Sequence, residues 1–192
     1  METLDLGPAT LALTDLIVAV RDDQLTDPTP CPDYTVGDLA DHVGGLAMAF
    51  TAAAGKQDLA GSADGGSGDA HRLEPGWRDR VAADLDRLAA AWRDPAAYVG
   101  EATAGGITMP APVAASMALN EVVVHGWDLA RGLGREFTAR DEDVAACMAF
   151  AEPFSAPGTE AMRGTAFGPV VPVPPDAPAL TRLLGLMGRR AG

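Results

Sequence analysis

The stretch Asn120–Asp128 carries a carboxylate and an imidazole inside an otherwise apolar segment. Between residues 109 and 130 the only ionisable side chains are those of Glu121, His125 and Asp128. On a helix of about 3.6 residues per turn, positions four and seven apart return to one face. Charged groups are rarely buried unless they are paired or bind a metal. A Glu-x-x-x-His pair one turn apart therefore points to a divalent-metal site.

His42 supplies a second imidazole from another predicted helix. It lies at the margin of an apolar stripe, within about 60° of Leu39 and Leu46, so its side chain can reach the edge of the core. With Glu121 and His125 it makes a set of two imidazoles and one carboxylate. Three protein ligands with one open position are typical of catalytic zinc, and the same donors suit iron or nickel.

Simpler interpretations of these residues stay open from sequence. His125 could hydrogen-bond a backbone carbonyl while Glu121 pairs with an arginine. His42 could be a half-exposed helix residue. Asp128 could be a fourth ligand, an acceptor for a ligand imidazole, or a group on the substrate side. We favour an acceptor or cavity-lining role for Asp128, in which it acts in catalysis by orienting a group or accepting a proton.

The remaining reactive side chains are assigned to packing, capping or solvent. These assignments are a structural turn residue for Cys31, helix capping for Asp38, solvent for Asp41 and His71, and packing for Trp127 and Cys147. Cys31 has no base near it in sequence that would activate its thiol. The chain has no nucleophile elbow, P-loop or dinucleotide fingerprint, and its Gly-rich run at 65–68 is low complexity.

The composition excludes several classes of partner. The chain has 192 residues, 47% of them hydrophobic, and a formal net charge of −13. This length suits one domain, and the negative charge disfavours binding to nucleic acid or to a membrane surface. The N-terminus is acidic where a signal peptide would be basic, and two cysteines make no disulfide framework. We therefore expect a reduced, cytoplasmic protein.

Hydrophobic periodicity and chain-breaking residues predict a largely helical chain. The predicted helices cover about 8–22, a segment from 35 onwards, 75–92, 110–131, a segment from 138 onwards and a short stretch around 180–187. Thr35 with Asp38 fits a capping box, and so does Thr138 with Asp141. Pro75 suits a first helical position. The intervening segments are a Gly-rich loop at 55–74, an irregular stretch at 94–109 with an extended piece at 107–109, and a Pro-rich extended tail at 167–175.

Four long helices with ligands on an inner face indicate an all-α fold, a four-helix bundle. We assign residues 1–155 to this metal-binding bundle. Residues 156–192 form a C-terminal extension, made of the extended tail and the extra helix, that packs on the bundle. The whole is expected to be a single domain.

Three motifs together resemble those of one known family. They are CPDYTVGDLADHVGG at 31–45, VVHGWDLA at 123–130, and FGPVVPV at 167–173 followed by APAL at 177–180. They resemble the actinobacterial metal-binding proteins related to the N-terminal domain of mycothiol-dependent maleylpyruvate isomerase. The resemblance covers essentially the whole chain, and the first two motifs together are its most specific part.

The resemblance implies a DinB-like four-helix bundle that binds a divalent metal, zinc in the isomerase. The family's ligands, a histidine on helix two and a Glu-x-x-x-His pair on a later helix, fall on His42, Glu121 and His125. Such bundles often form homodimers, so a homodimer is also expected. The full isomerase has a further C-terminal domain, so maleylpyruvate isomerisation itself is not expected. Arg131 is the nearest candidate for a substrate-carboxylate clamp.

These observations favour a metal-dependent thiol S-transferase. A divalent cation, Zn²⁺ first and Ni²⁺ or Fe²⁺ otherwise, would activate a small thiol such as mycothiol to attack a small electrophile. The alternative is a non-catalytic helical-bundle protein that binds a metal or a ligand. A third hypothesis is a metal-free bundle that serves as a dimer module.

Overall fold

The computed structural model describes residues 3–57, 67–163 and 167–191. The chain forms two compact units, Met1–Phe137 and Thr138–Gly192. The predicted division at residue 155 remains a prediction. Within the described residues no helix is long and apolar enough to cross a membrane.

The first unit is built from four helices. They are α1 (Gly7–Ala19), α2 (Val36–Ala54), α3 (Trp77–Ala91) and α4 (Ala111–Gly132). Helices α1 and α2 each pack against both α3 and α4. Fully buried side chains from all four helices, including Leu13, Leu39, Leu85 and Leu119, form the core between them. The structure is thus mostly helical, as predicted.

Helix α2 begins where the sequence predicts. Thr35 is its N-cap, and its hydroxyl accepts a hydrogen bond from the backbone N–H of Asp38 at 3.3 Å. The Asp38 carboxylate accepts in return from the N–H of Thr35 at 3.1 Å. This capping box fixes the first turn of the helix that carries the candidate metal ligand His42.

Helix α4 is the most deeply buried helix of this unit, as its apolar sequence predicts. Every residue from Val122 to Ala130 is buried. Helix α3 differs slightly from prediction, because it starts at Trp77 rather than at Pro75. Its N-cap is Gly76, whose φ of 83° lies in the left-handed region that favours glycine. Pro75 therefore lies in the turn that precedes the helix.

The structure contains a β-hairpin, which the predicted all-α fold did not include. Strands β1 (Glu101–Ala104) and β2 (Ile107–Pro110) pair antiparallel within the stretch expected to be irregular. The extended piece predicted at 107–109 is confirmed, but its partner strand was missed. Gly105 and Gly106 both have positive φ, as a two-residue hairpin turn requires. The Gly105-Gly106 pair was the sequence signal that could have predicted this hairpin.

The second unit contains α5 (Asp141–Ala151) and α6 (Ala179–Leu186). The predicted capping box at the start of α5 is wrong. The N-cap is Arg140, without a side-chain cap, and its guanidinium binds Asp143 at 2.7 Å. The Pro-rich tail has neither helix nor strand at its described residues, 167–175, and the short final helix is confirmed. Residues 58–66 of the predicted Gly-rich loop lie outside the described residues.

Candidate metal centre

The three predicted ligands converge between α2 and α4. Glu121 and His125 lie one turn apart on α4, with the carboxylate Oε2 of Glu121 3.1 Å from Nε2 of His125. His42 on α2 faces the same carboxylate, with Nε2 3.9 Å from Oε2. The two imidazole rings lie 4.9 Å apart at 87°. Donor atoms of all three residues therefore lie within 4.8 Å of one another.

These distances fit a divalent cation. Zinc binds imidazole nitrogen and carboxylate oxygen at about 2.0–2.2 Å, which places two tetrahedral donors roughly 3.3 Å apart. The separations of 3.1 and 3.9 Å lie on either side of that value. Small side-chain shifts would bring the three donors around one ion. The side chains of His42 and Glu121 are 12% and 17% exposed, so the cluster faces solvent on one side.

The charges of the cluster are strongly coupled. Burial opposes ionisation of Glu121, but favourable interactions with the imidazoles of His125 and His42 outweigh it and hold the pKa of this carboxyl well below its usual range. Burial also opposes protonation of His125. Hydrogen bonds to Asp128 and Glu121, together with their negative charges, prevail and raise the pKa of His125 to about 9. A cation would thus take the place of a proton that the cluster already attracts.

Asp128 lies behind His125, away from solvent. Its carboxylate Oδ2 is 3.1 Å from Nδ1 of His125, and its side chain is fully buried. A carboxylate on the second nitrogen of a ligand imidazole orients the ring and favours the tautomer that leaves the first nitrogen free. This position matches the acceptor role favoured for Asp128.

Cys31 lies on the same buried side. Donor atoms of Cys31, His125 and Asp128 also lie within 4.8 Å of one another, and all three residues are buried. The sequence showed no base near this thiol, yet the fold brings an imidazole to it. His125 presents Nδ1 to Asp128 and Nε2 to Glu121. The cluster with Cys31 and Asp128 and the cluster with His42 and Glu121 therefore lie on opposite sides of the His125 ring.

The rim of the centre contains residues that sequence reasoning missed. The ring of Tyr34 lies 5.0 Å from that of His42, tilted by 34°. Burial and nearby negative charge raise the pKa of Tyr34, while a hydrogen bond from the backbone N–H of Gly68 opposes this shift. Tyr34 directly precedes Thr35, the N-cap of α2, and so lies outside the helix, where hydrophobic periodicity gives no signal.

The segment Ser67–Arg72 is attached to α2 beside His42. The N–H groups of Asp69 and Ala70 donate to the carboxylates of Asp41 and Asp38, at 3.1 and 2.9 Å. The guanidinium of Arg72 binds Asp41 at 2.6 Å. Asp41 was predicted to face water; it instead anchors this segment, with a side chain only 12% exposed. Asp38 has a second role besides capping.

The other assigned residues lie outside the cluster of donors. Cys147 and Trp127 are buried and His71 is exposed, as is consistent with packing and solvent roles. Arg131, the candidate for a substrate-carboxylate clamp, is exposed at the end of α4. In the predicted low-complexity run, residues 65 and 66 lie outside the described residues. A groove of about 840 Å³ lies at the C-terminal ends of α2 and α3, and its lining residues include none of the candidate ligands.

Comparison with known proteins identifies relatives along most of the chain. A family model described as the mycothiol maleylpyruvate isomerase N-terminal domain matches residues 6–130. An uncharacterised protein of Mycobacterium tuberculosis is 29% identical over 185 residues, which cover 93% of this chain and 92% of that protein. The corresponding protein of a second strain gives the same values.

Solved structures show a similar fold. The crystal structure of the mycothiol-dependent maleylpyruvate isomerase superposes with a TM-score of 0.55 at 19% identity, over 80% of this chain and 68% of that one. A mutant of that enzyme, with a histidine replaced by alanine, gives a TM-score of 0.56 over the same shares. At this identity the similarity concerns the fold alone.

Proposed function

The chain belongs to the mycothiol maleylpyruvate isomerase N-terminal domain family, and from this premise we propose that it is a metal-dependent enzyme that transfers a small thiol. The thiol is mycothiol or a close analogue, and the second substrate is a small electrophile. The observation that carries the proposal is the convergence of two imidazoles and one carboxylate at the solvent-facing side of α2 and α4. Fold alone would not support an activity.

The architecture proposed with this function is a DinB-like four-helix bundle. The packing of α1 and α2 against both α3 and α4 supports it. We retain residues 1–155 as the bundle and 156–192 as an extension of the same domain, and we retain the homodimer as a proposal. Each can be tested by limited proteolysis and by solution mass measurement.

The proposed ligands are His42, Glu121 and His125. They would hold one divalent cation, Zn²⁺ first and Ni²⁺ or Fe²⁺ otherwise, because this donor set suits all three. When bound, the cation would lower the pKa of a coordinating thiol and so supply a thiolate nucleophile at neutral pH. Glu121 provides the negative charge that attracts the cation into the cluster.

Asp128 is proposed to act through His125 rather than on the substrate. Its carboxylate is fully buried and contacts the ring nitrogen that faces away from the ligand cluster. It therefore holds the imidazole in one orientation and favours the required tautomer. Its predicted role in accepting a proton directly from substrate receives no support from this position.

The reaction is a nucleophilic addition or substitution. Sulfur loses its proton to solvent or to a base and forms a bond to an electrophilic carbon. In an addition the resulting anion takes up a proton, and in a substitution a leaving group departs with the bonding electron pair. The negative surface charge of the chain favours neutral or weakly charged electrophiles over polyanions.

One experiment separates this proposal from its alternatives. The protein is loaded with zinc, its metal content is measured, and it is incubated with mycothiol and a panel of electrophiles that includes maleylpyruvate. Conjugates or isomerised product are detected by mass spectrometry. We expect about one zinc per chain and a thiol conjugate that disappears in His125→Ala but persists in His71→Ala.

The other outcomes identify the alternatives. Stoichiometric zinc without any product or thiol binding would indicate a non-catalytic metal-binding protein. No metal uptake from zinc, nickel or iron solutions would contradict both metal hypotheses and leave a helical scaffold. His71 is a suitable control because it is an exposed histidine outside the donor cluster.

A further inference from the structure

Tyr34 occupies a fixed position beside the candidate metal centre. Its backbone N–H donates to the carbonyl of Cys31 at 3.2 Å, and its own carbonyl accepts from the hydroxyl of Thr29 at 2.8 Å. Its ring lies against that of His42, with 5.0 Å between centroids. The turn and the helix therefore hold the phenol in one place without any ligand.

The hydroxyl of Tyr34 is held as well as its ring. The backbone N–H of Gly68 lies near enough to the phenolic oxygen to lower the pKa of this hydroxyl. A side chain on Gly68 would not fit unless the segment moved, because a Cβ would lie 2.0 Å from the carbonyl oxygen of Asp38 and 3.2 Å from Cβ of His42. The segment reaches this close to α2 only because residue 68 is glycine. The phenol ring is thus held against His42, and the negative charge of Glu121 helps to raise the pKa of its hydroxyl.

The Tyr34 hydroxyl has a hydrogen-bond donor capacity that no described residue uses. A phenol both accepts and donates, and a backbone N–H such as that of Gly68 can engage only its accepting capacity. Among the described residues no acceptor takes the hydroxyl proton. Tyr34 is only partly buried, as are its neighbour His42 and the candidate ligand Glu121. A neutral donor is therefore positioned where a ligand of the centre would arrive.

We infer that Tyr34 donates a hydrogen bond from its hydroxyl to the thiol ligand bound at the centre formed by His42, Glu121 and His125. The acceptor is the sulfur or a carbonyl oxygen next to it in the same molecule. This inference rests on the proposed function, since it requires a thiol at that centre. Tyr34 then selects ligands that place an acceptor beside His42, and so determines specificity.

The test compares two tyrosine variants of the cobalt-loaded protein. Tyr34→Phe removes one oxygen atom and keeps the ring against His42. Tyr98→Phe is the matched control, because the hydroxyl of Tyr98 binds the backbone N–H and carbonyl of Leu4, at 2.9 and 3.2 Å, and is not part of the donor cluster. Cobalt content, the absorption spectrum and the affinity for mycothiol by calorimetry are measured for both variants and the wild type.

We expect Tyr34→Phe to retain the cobalt content and the thiol-free spectrum of the wild type, but to bind mycothiol about three- to tenfold more weakly, the range for one hydrogen bond. The spectrum of the mycothiol-bound form should also change. Tyr98→Phe should bind mycothiol as the wild type does. Equal mycothiol affinity and equal spectra for Tyr34→Phe and wild type would overturn the inference and leave the proposed function intact.

Two further outcomes would have different meanings for the inference and for the proposed function. Loss of cobalt in Tyr34→Phe would show that the tyrosine only braces His42, which also overturns the inference. A wild-type protein that holds cobalt but binds no mycothiol would contradict the proposed function itself, and with it any thiol contact by Tyr34.

Discussion

Nδ1 of His125 lies 3.1 Å from the Oδ2 atom of Asp128, three residues further along α4. On its other side the same ring presents Nε2 to Glu121 at the same distance. Asp128 is sealed from solvent, whereas Glu121 remains partly exposed. One imidazole therefore joins a buried carboxylate to an open cluster of donors. This is the arrangement in which a carboxylate raises the basicity of a metal-binding imidazole and fixes its tautomer.

Replacing Asp128 by asparagine should weaken metal binding without removing it. The amide can still contact Nδ1 but no longer carries the charge that orients and polarises the ring, so we expect a loss of about 10- to 100-fold in zinc affinity. Competition with a chromogenic chelator measures it. Asp84→Asn is the matched control, because Asp84 is another buried aspartate, paired with Arg87 on α3. Equal losses in both variants would contradict the role given to Asp128.

Removing a ligand should have a larger effect than removing its support. We expect His125→Ala and Glu121→Ala each to weaken zinc binding by more than about 100-fold, beyond the range for an orienting residue. His71→Ala should keep full zinc content. Zinc at 100 times its dissociation constant should also stabilise the wild type by about 2.7 kcal/mol, seen as a rise in melting temperature. Unchanged zinc content in both ligand variants would exclude this centre.

Zinc affinity should depend on pH through His125. The pKa of His125 in the metal-free protein is raised to about 9, so at neutral pH a cation must displace a proton from this ring. Below pH 9 the apparent affinity should therefore rise about tenfold per pH unit from this residue, and it should level off above. Calorimetry in buffers of different ionisation enthalpy should show a proton released at pH 7.

The same experiment has an internal control. Asp128→Asn removes a charge that stabilises protonated His125, so the pKa of His125 should fall and the affinity should level off at a lower pH. A pH profile that is the same in wild type and Asp128→Asn would contradict the coupling between these two residues.

The proximity of the three candidate ligands could be predicted from the sequence because each lies on a regular helix. Glu121 and His125 are four apart on α4, and His42 lies at the edge of the apolar stripe of α2. Helical periodicity determines which residues share a face, so the convergence of the three donors could be predicted. The capping box at Thr35 and Asp38 is likewise a local pattern with a local cause.

The rim could not be predicted in this way. Tyr34, Cys31 and Gly68 lie in turns and loops, where no period relates sequence position to direction in space. Asp41 was misassigned for a related reason. Its helical position faces away from the core, and only the return of the segment Ser67–Arg72 over α2 covers it. These contacts join a helix to a segment about 30 positions later in the chain, so they are tertiary. No local sequence pattern predicts them.

The close approach of Gly68 to α2 gives a final prediction. A methyl group there would lie 2.0 Å from the carbonyl oxygen of Asp38, so Gly68→Ala must push the segment off the helix. We expect a loss of about 1–3 kcal/mol in the free energy of unfolding in urea, the usual cost of overpacking. The amides of Asp69 and Ala70 should also lose hydrogen-exchange protection, because they donate to Asp41 and Asp38.

Gly45→Ala is the control for this prediction. Gly45 lies on α2, the helix that the segment contacts, and nothing lies within 4 Å of an added Cβ. Alanine in a helix interior should stabilise the protein by about 0.5–1 kcal/mol. Opposite signs for the two substitutions would support this packing, whereas a Gly68→Ala variant with wild-type stability and amide protection would contradict it.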